Sequence, residues 1–427
     1  MRNHKEKLRM LIEEYWRRGL PDVKERDIRI DLSTKLISDI VGPRRAGKTY
    51  FMYFLIKKLL ESGVEKKRTL YINFERRLLY PLTPEYFNDL VELIYEEGLE
   101  DGPLYIFLDE VQRVKGWERF VRSLYDEFSG KMKIFVSGST SRLTKSSLSV
   151  LLTGRHITTY VFPLSFREFL QFKGFGIPES LSERDVVYIK NMLREYLEYG
   201  GFPEVVLGDL KEEYIETLFL DILMRDIASQ VKNAAVLEEL GYFLTSMAGK
   251  TVSFSKLSRL LAVRGTKISV PTLEKYFYLM KDVFLFFDTR IYSYRIKEQL
   301  QYPRKVYAID TGFVNYFGFK FSEDRGRLME NVVAVELLRR GKKIHYWKNK
   351  RGEEVDFVVS RGLKVEELIQ VSYDVEDPDT RKRELRALDK ASQELGCKNK
   401  TVITWDYEEE GEIKYIPLWK WLLEKSL

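Results

Sequence analysis

Gly42-Pro43-Arg44-Arg45-Ala46-Gly47-Lys48-Thr49 decides how this chain is read, because it follows the apolar run KLISDIV and opens a helical period. A G-x-x-x-x-G-K-[ST] stretch between a strand and a helix predicts a phosphate-binding loop. Glycines let backbone N–H groups curl around phosphate, the helix N-terminus adds its positive dipole end, and Lys48 supplies a full charge. The expected ligand is ATP, held by Gly42, Pro43, Arg44, Arg45, Ala46, Gly47, Lys48 and Thr49, with Thr49 also placed on Mg2+. A glycine turn that merely joins strand to helix is the competing reading.

Working outward, apolar runs alternate with helical periods from about residue 36 to 162: KLISDIV, helix 48–61, TLYINFE, helix 84–97, LYIFLDE, helix 117–128, MKIFVSGS and ITTYVFP. That alternation predicts an α/β domain on a parallel sheet covered on both faces, the P-loop NTPase class. LYIFLDE (104–110) ends in two acids. Asp109 is expected to orient magnesium's water and Glu110 to polarise the attacking water, the alternative being that strand-end acids are simply solvated. MKIFVSGST (132–140) offers Ser139 or Thr140 as a γ-phosphate sensor, or as an ordinary strand-to-helix cap. Arg142 and Arg155 follow, each either an arginine finger for a neighbouring subunit or a surface arginine paired with a local acid.

The 427 residues are 44% hydrophobic and 32% charged, enough for about three domains at roughly 150 residues each. With 71 Lys plus Arg against 65 Asp plus Glu the net charge is +6, too small for the whole molecule to act as a polycation, so any nucleic-acid site must be local. One cysteine, Cys397, rules out an intramolecular disulfide, and His4, His156 and His345 are too scattered for a metal cluster. A charged N-terminus and the lack of any 18-residue apolar run lead us to expect a cytoplasmic protein without a membrane span. Seven Gln and nine Asn beside abundant Lys, Glu and Arg suit a thermophilic source.

GPRRAGKT, FLDEVQRVKGWE, VSGSTSRLTK with LLTGR, PLSFREFL and YGGFPEVV together resemble the archaeal-type AAA-related P-loop ATPases. The resemblance spans roughly residues 20–425. It implies an ATPase domain, a winged helix and a C-terminal domain similar to PD-(D/E)XK nucleases. It also implies that Gly42 to Thr49 are the Walker A element, Asp109 and Glu110 the Walker B pair, and the strand ending at Ser139 the sensor. Gln112 and Trp117 are implied as signature positions without a chemical role, Trp117 being expected to anchor its helix.

The expected organisation is an N-terminal helix and lead-in over 1–30, the ATPase core over 31–164, a helical lid over 165–230, a winged helix over 231–319 and the nuclease-like α/β domain over 320–427. Residues 231–300 hold eleven Lys or Arg and six Asp or Glu, so nearly all of the charge excess lies there. Within PTLEKYFYLMKDVF, Leu273, Tyr276, Phe277, Met280 and Phe284 form a core stripe. Lys275, Tyr278 and Lys281 then face outward, Glu274 opposes phosphate, and Lys267, Arg290, Arg295 and Lys297 are expected in the turn and in a wing formed by DTRIYSYRIKEQL. Sequence-independent binding to double-stranded DNA follows, with a protein-interaction module as the alternative.

In RLMENVVAVELLRR, KIHYWKN, EEVDFVVS and EELIQVSYD, Glu330 and Asp356 match the first two metal-binding positions of the nuclease-like layout. At the third element the chain reads Gln370-Val371-Ser372, replacing both a carboxylate and a lysine, so DNA cleavage is not expected. Three functions stand in order: an ATPase coupling hydrolysis to movement of lid and winged helix on DNA, a nucleotide-dependent switch controlling protein association, and a DNA-cleaving enzyme. A homo-oligomer is compatible with a finger arginine in trans.

Overall fold

A computed structural model describes residues 3–128, 130–141, 154–263, 265–318, 325–375 and 378–424. They fall into two compact units, Met1–Val161 with Asp282–Phe284, and Phe162–Lys281 with Leu285–Leu427.

The first unit is built on five strands, β1 (Ile37–Val41), β2 (Thr69–Asn73), β3 (Leu104–Asp109), β4 (Met132–Gly138) and β5 (His156–Tyr160), and four helices, α1 (His4–Arg17), α2 (Lys48–Glu61), α3 (Glu85–Glu96) and α4 (Trp117–Glu127). All strand pairs are parallel, in the order β2-β3-β4-β1-β5. The pleat sends alternate residues to opposite faces. Ile37, Val41, Leu70, Ile72, Ile106, Leu108, Ile134 and Val136 share one buried cluster with α1, α3 and α4, while Ile40, Tyr71, Phe107 and Phe135 meet Phe51, Phe54 and Leu55 of α2. Helices on both faces explain why these strands read as nearly unbroken apolar runs. The N-terminal helix packs into this core through Leu8, Leu11 and Ile12.

The second unit begins with α5 (Phe166–Phe172), α6 (Glu183–Tyr199), α7 (Pro203–Leu207) and α8 (Lys211–Asp221). These were expected as a lid, yet Phe166, Phe169, Ile189, Leu193 and Leu197 lie in one hydrophobic core with Val333, Leu337, Ile369, Ile403 and Trp421 of the C-terminal domain. Apolar burial therefore commits them to that partner. Next come α9 (Ala234–Ser246), β6 (Thr251–Val252), α10 (Phe254–Val263), α11 (Val270–Asp282), β7 (Phe286–Thr289), α12 (Ile296–Gln301), β8 (Arg304–Ala308) and α13 (Thr311–Phe317). The three strands form a sheet in the order β6-β8-β7. Of the run expected as a wing, only its first residues are strand. The backbone beyond it is held by β9, since Tyr292 N donates to Tyr346 O at 2.7 Å and Tyr346 N to Arg290 O at 3.1 Å.

The chain ends with α14 (Arg325–Arg339), β9 (Lys343–Lys348), β10 (Glu354–Arg361), β11 (Lys364–Ser372), α15 (Pro378–Leu395), β12 (Lys400–Thr404), β13 (Lys414–Pro417) and α16 (Leu418–Leu423). The sheet order is β13-β12-β11-β10-β9, antiparallel through β9, β10 and β11 and parallel beyond.

Candidate nucleotide site

The register of the parallel sheet brings the site together. Asn73 lies beside Asp109, Leu108 beside Val136, and Val41 beside Gly138, so the exits of β2, β3, β4 and β1 end at one level. The loop leaves β1 there. A Cβ on Gly42 would stand 2.0 Å from the carbonyl oxygen of Val161, so only glycine fits. Gly47 caps α2 with φ 93°, and Arg45, at φ 65°, also takes the left-handed region that disfavours side chains. Arg26 of the lead-in, buried and absent from our reading of the sequence, donates to Ala46 O at 3.0 Å and braces the loop from outside.

Lys48 is buried at the start of α2, its ammonium 3.1 Å from Gly42 O, 2.9 Å from Pro43 O and 3.9 Å from Glu110 Oε1. Asp109 is fully buried and surrounded by donors. Thr49 Oγ1 reaches Oδ2 at 2.7 Å, Tyr71 OH at 2.8 Å and Asn73 Nδ2 at 3.2 Å, while Ser137 Oγ donates to Oδ1. These four donors fix the orientation of the carboxylate at the exit of β3. Thr49 and Asp109 present hard oxygens side by side, the donor type magnesium selects, so the two residues fit the ion when phosphate supplies the remaining ligands.

Glu110 follows in the left-handed region, at φ 54°. Its N–H donates to Ser137 Oγ at 3.0 Å, and its Oε2 accepts from Gln112 Nε2 at 2.6 Å. Burial raises the Glu110 carboxyl above its usual range, against the opposing pull of Lys48. Gln112, a signature position without a role in the sequence, thus orients Glu110, and Trp117 is buried in the core at the head of α4 as expected.

Ser139 is buried but its Oγ is 3.4 Å from Glu110 Oε2, whereas Ser137, two residues earlier, bridges both acids. Thr140 is described and half-buried. Arg142 lies outside the described residues. Arg155 sits at the entry end of β1, where its carbonyl accepts from Ile37 N at 2.9 Å. Its guanidinium faces Asp126 at 3.6 Å, the local ion pair that was the alternative.

In the second unit Lys267, Lys275, Arg295 and Lys297 are exposed, with Arg295 3.5 Å from Glu298. Lys281 is paired with Asp288, which also lies 3.6 Å from Arg304. Arg290 is half-buried beside its backbone bond to β9. Glu330 and Asp356 do come together, but around Lys305, which bonds each at 3.0 Å. Desolvation, with Asp356 beside it, pushes the Glu330 carboxyl up to about 7. Gln370 accepts from Asp356 N at 3.3 Å through its amide oxygen. Among the described residues no three His, Cys, Asp or Glu are grouped to hold a metal, and no described helix is long and apolar enough to cross a membrane.

An AAA domain model matches residues 34–170, the stretch that carries this site. Residues 190–324 and 325–421 match two domains of unknown function, DUF8612 and DUF4143. The uncharacterized protein MJ1544 of Methanocaldococcus jannaschii is 34% identical over 421 residues, covering 94% of this chain and 91% of its own length. The chain belongs to that protein's family. An uncharacterized protein of Haemophilus influenzae is 31% identical over 92% of this chain and 95% of its own. Both alignments extend well beyond the AAA-domain match at residues 34–170. Among solved structures, the Walker-type ATPase PABY2304 of Pyrococcus abyssi is similar at 14% identity and a TM-score of 0.37, covering 74% of this chain and 94% of that one. The Aeropyrum pernix ORC1 protein in complex with DNA has a TM-score of 0.28 at 14% identity, covering 80% of this chain and 94% of that one.

Proposed function

We propose that this protein binds and hydrolyses Mg-ATP and couples turnover to work on double-stranded DNA. The observation that carries the hydrolytic part is the pair of adjacent acids with separate partners. Asp109 is anchored to Thr49 and Glu110 is held by Gln112 near Lys48. Bound magnesium would supply charge neutralisation at the phosphates. Thr49 and Asp109 would orient it, Lys48 would neutralise phosphate oxygens, and Glu110 would accept the proton of the attacking water.

The DNA part is supported by the basic stretch 231–300 and by the succession of α9, β6, α10, α11, β7 and β8, which has the order of a winged helix. Exposed Lys267 and Lys275 suit phosphate contacts.

ATP turnover measured with and without duplex DNA tests both parts. Wild type is expected to turn over ATP faster with DNA, Lys48→Ala to lose nucleotide binding, and Glu110→Gln to keep binding while losing turnover by about 100-fold or more. Tight binding without turnover in wild type would replace hydrolysis with the switch reading. Turnover indifferent to DNA would remove the DNA part alone.

A further inference from the structure

Lys305 lies on β8, outside the helix and strands that carry the nuclease-like residues, and is 2% exposed. An ammonium has three N–H donors. All three are used on carboxylates: Glu330 Oε1 at 3.0 Å, Glu354 Oε1 at 2.6 Å and Asp356 Oδ1 at 3.0 Å. These are ammonium-to-oxygen distances, well beyond the roughly 2.0–2.1 Å at which magnesium holds its ligands.

Most of the remaining acceptor positions are also engaged. Asp356 Oδ2 accepts from Val371 N at 3.1 Å, Glu354 Oε2 from Lys348 at 2.8 Å, and Glu330 Oε1 takes a second bond from Tyr307 OH at 2.8 Å. Glu330 Oε2 is turned toward Gly249, where even an added Cβ would stand only 3.1 Å away. The acids expected to hold a metal in a nuclease-like domain therefore do not fit one here.

We propose that Lys305 is the resident cation of this site: it fills the place that a divalent ion would take between Glu330 and Asp356, and clamps the three-stranded sheet to α14 and β10. The corollary is a latent metal site. With the ammonium removed, three carboxylates are left around one largely buried space, where a divalent cation competes with protons to neutralise them.

The test uses the full chain without nucleotide and Mn2+ as the probe, followed by electron paramagnetic resonance and by melting temperature. Lys305→Ala is expected to acquire one Mn2+ site at least about tenfold tighter than any in wild type, with a melting temperature that rises on Mn2+ addition. The added site must vanish in Lys305→Ala/Asp356→Asn, which separates it from the nucleotide site. Wild-type Mn2+ binding that depends on Asp356, or a folded Lys305→Ala that gains no site, would overturn the proposal. Should Lys305→Ala not fold, Lys305→Met/Glu330→Gln/Asp356→Asn removes the clustered charges together. That variant is expected to fold without Mn2+, and its failure as well would count against the proposal.

Discussion

Ser137 shows how one side chain makes two acids into a pair. Its hydroxyl donates to Asp109 and accepts from the N–H of Glu110, so Ser137→Ala strands a buried carboxylate oxygen and a buried N–H together. We expect a stability loss of about 1–3 kcal/mol in urea titrations. The turnover number should fall further, about 10- to 100-fold, because Glu110 loses the anchor that keeps it in the left-handed region. A variant with reduced stability but unchanged kcat would show that Ser137 serves the core alone. At this scale legibility was uneven for a physical reason. Lys48, Asp109 and Glu110 announce themselves through local spacing, whereas Ser137, Tyr71, Asn73 and Arg26 act only because the sheet register and the lead-in carry them to the loop. Asn73 was the most accessible of these, a polar residue closing a buried strand as Asp109 does. Lys305 had no sequence signal, lying 25 residues before the Glu330 it neutralises.

Between elements, β5 is tied to β1 by more than its ladder. His156 Nδ1 meets the buried Asp39 Oδ2 at 2.5 Å, and Thr158 Oγ1 adds a bond at 3.3 Å. The bond to Asp39 raises the His156 pKa above its usual 6.5, while burial pushes the Asp39 carboxyl up. A histidine whose folded pKa is raised contributes stability that is complete below pH 6.5 and is lost as pH rises through the folded value. Melting temperature should therefore drop from pH 6.5 toward pH 9 by more in wild type than in His156→Gln. Parallel slopes for the two proteins over that range would exclude the pair as the cause. The alternating apolar pattern made β5 legible as a strand. Its polar partner across the sheet was hidden, because KLISDIV reads as a uniformly buried run and gives no sign that Asp39 needs a cation.

Across the whole molecule, a net charge of +6 becomes informative only after its lysines are sorted by partner. Lys281 is neutralised by Asp288, and Arg290 lies where the backbone is fastened to β9, so neither suits a phosphate contact even though both stand in the basic stretch. Lys267 and Lys275 remain exposed. If this stretch binds duplex DNA through phosphates, log K falls linearly with log salt, and each lost contact reduces the slope by about 0.9. Anisotropy titrations of a mixed-sequence duplex between about 50 and 200 mM salt should give Lys267→Ala/Lys275→Ala a slope smaller by about 1.8 than wild type, with weakening independent of DNA sequence. Lys281→Ala should leave the slope unchanged. Equal slope losses from all three lysines would mean that Asp288 yields Lys281 to DNA on binding. No loss from the double variant would move the nucleic-acid contact away from α10 and α11 and favour protein association as the output of ATP turnover.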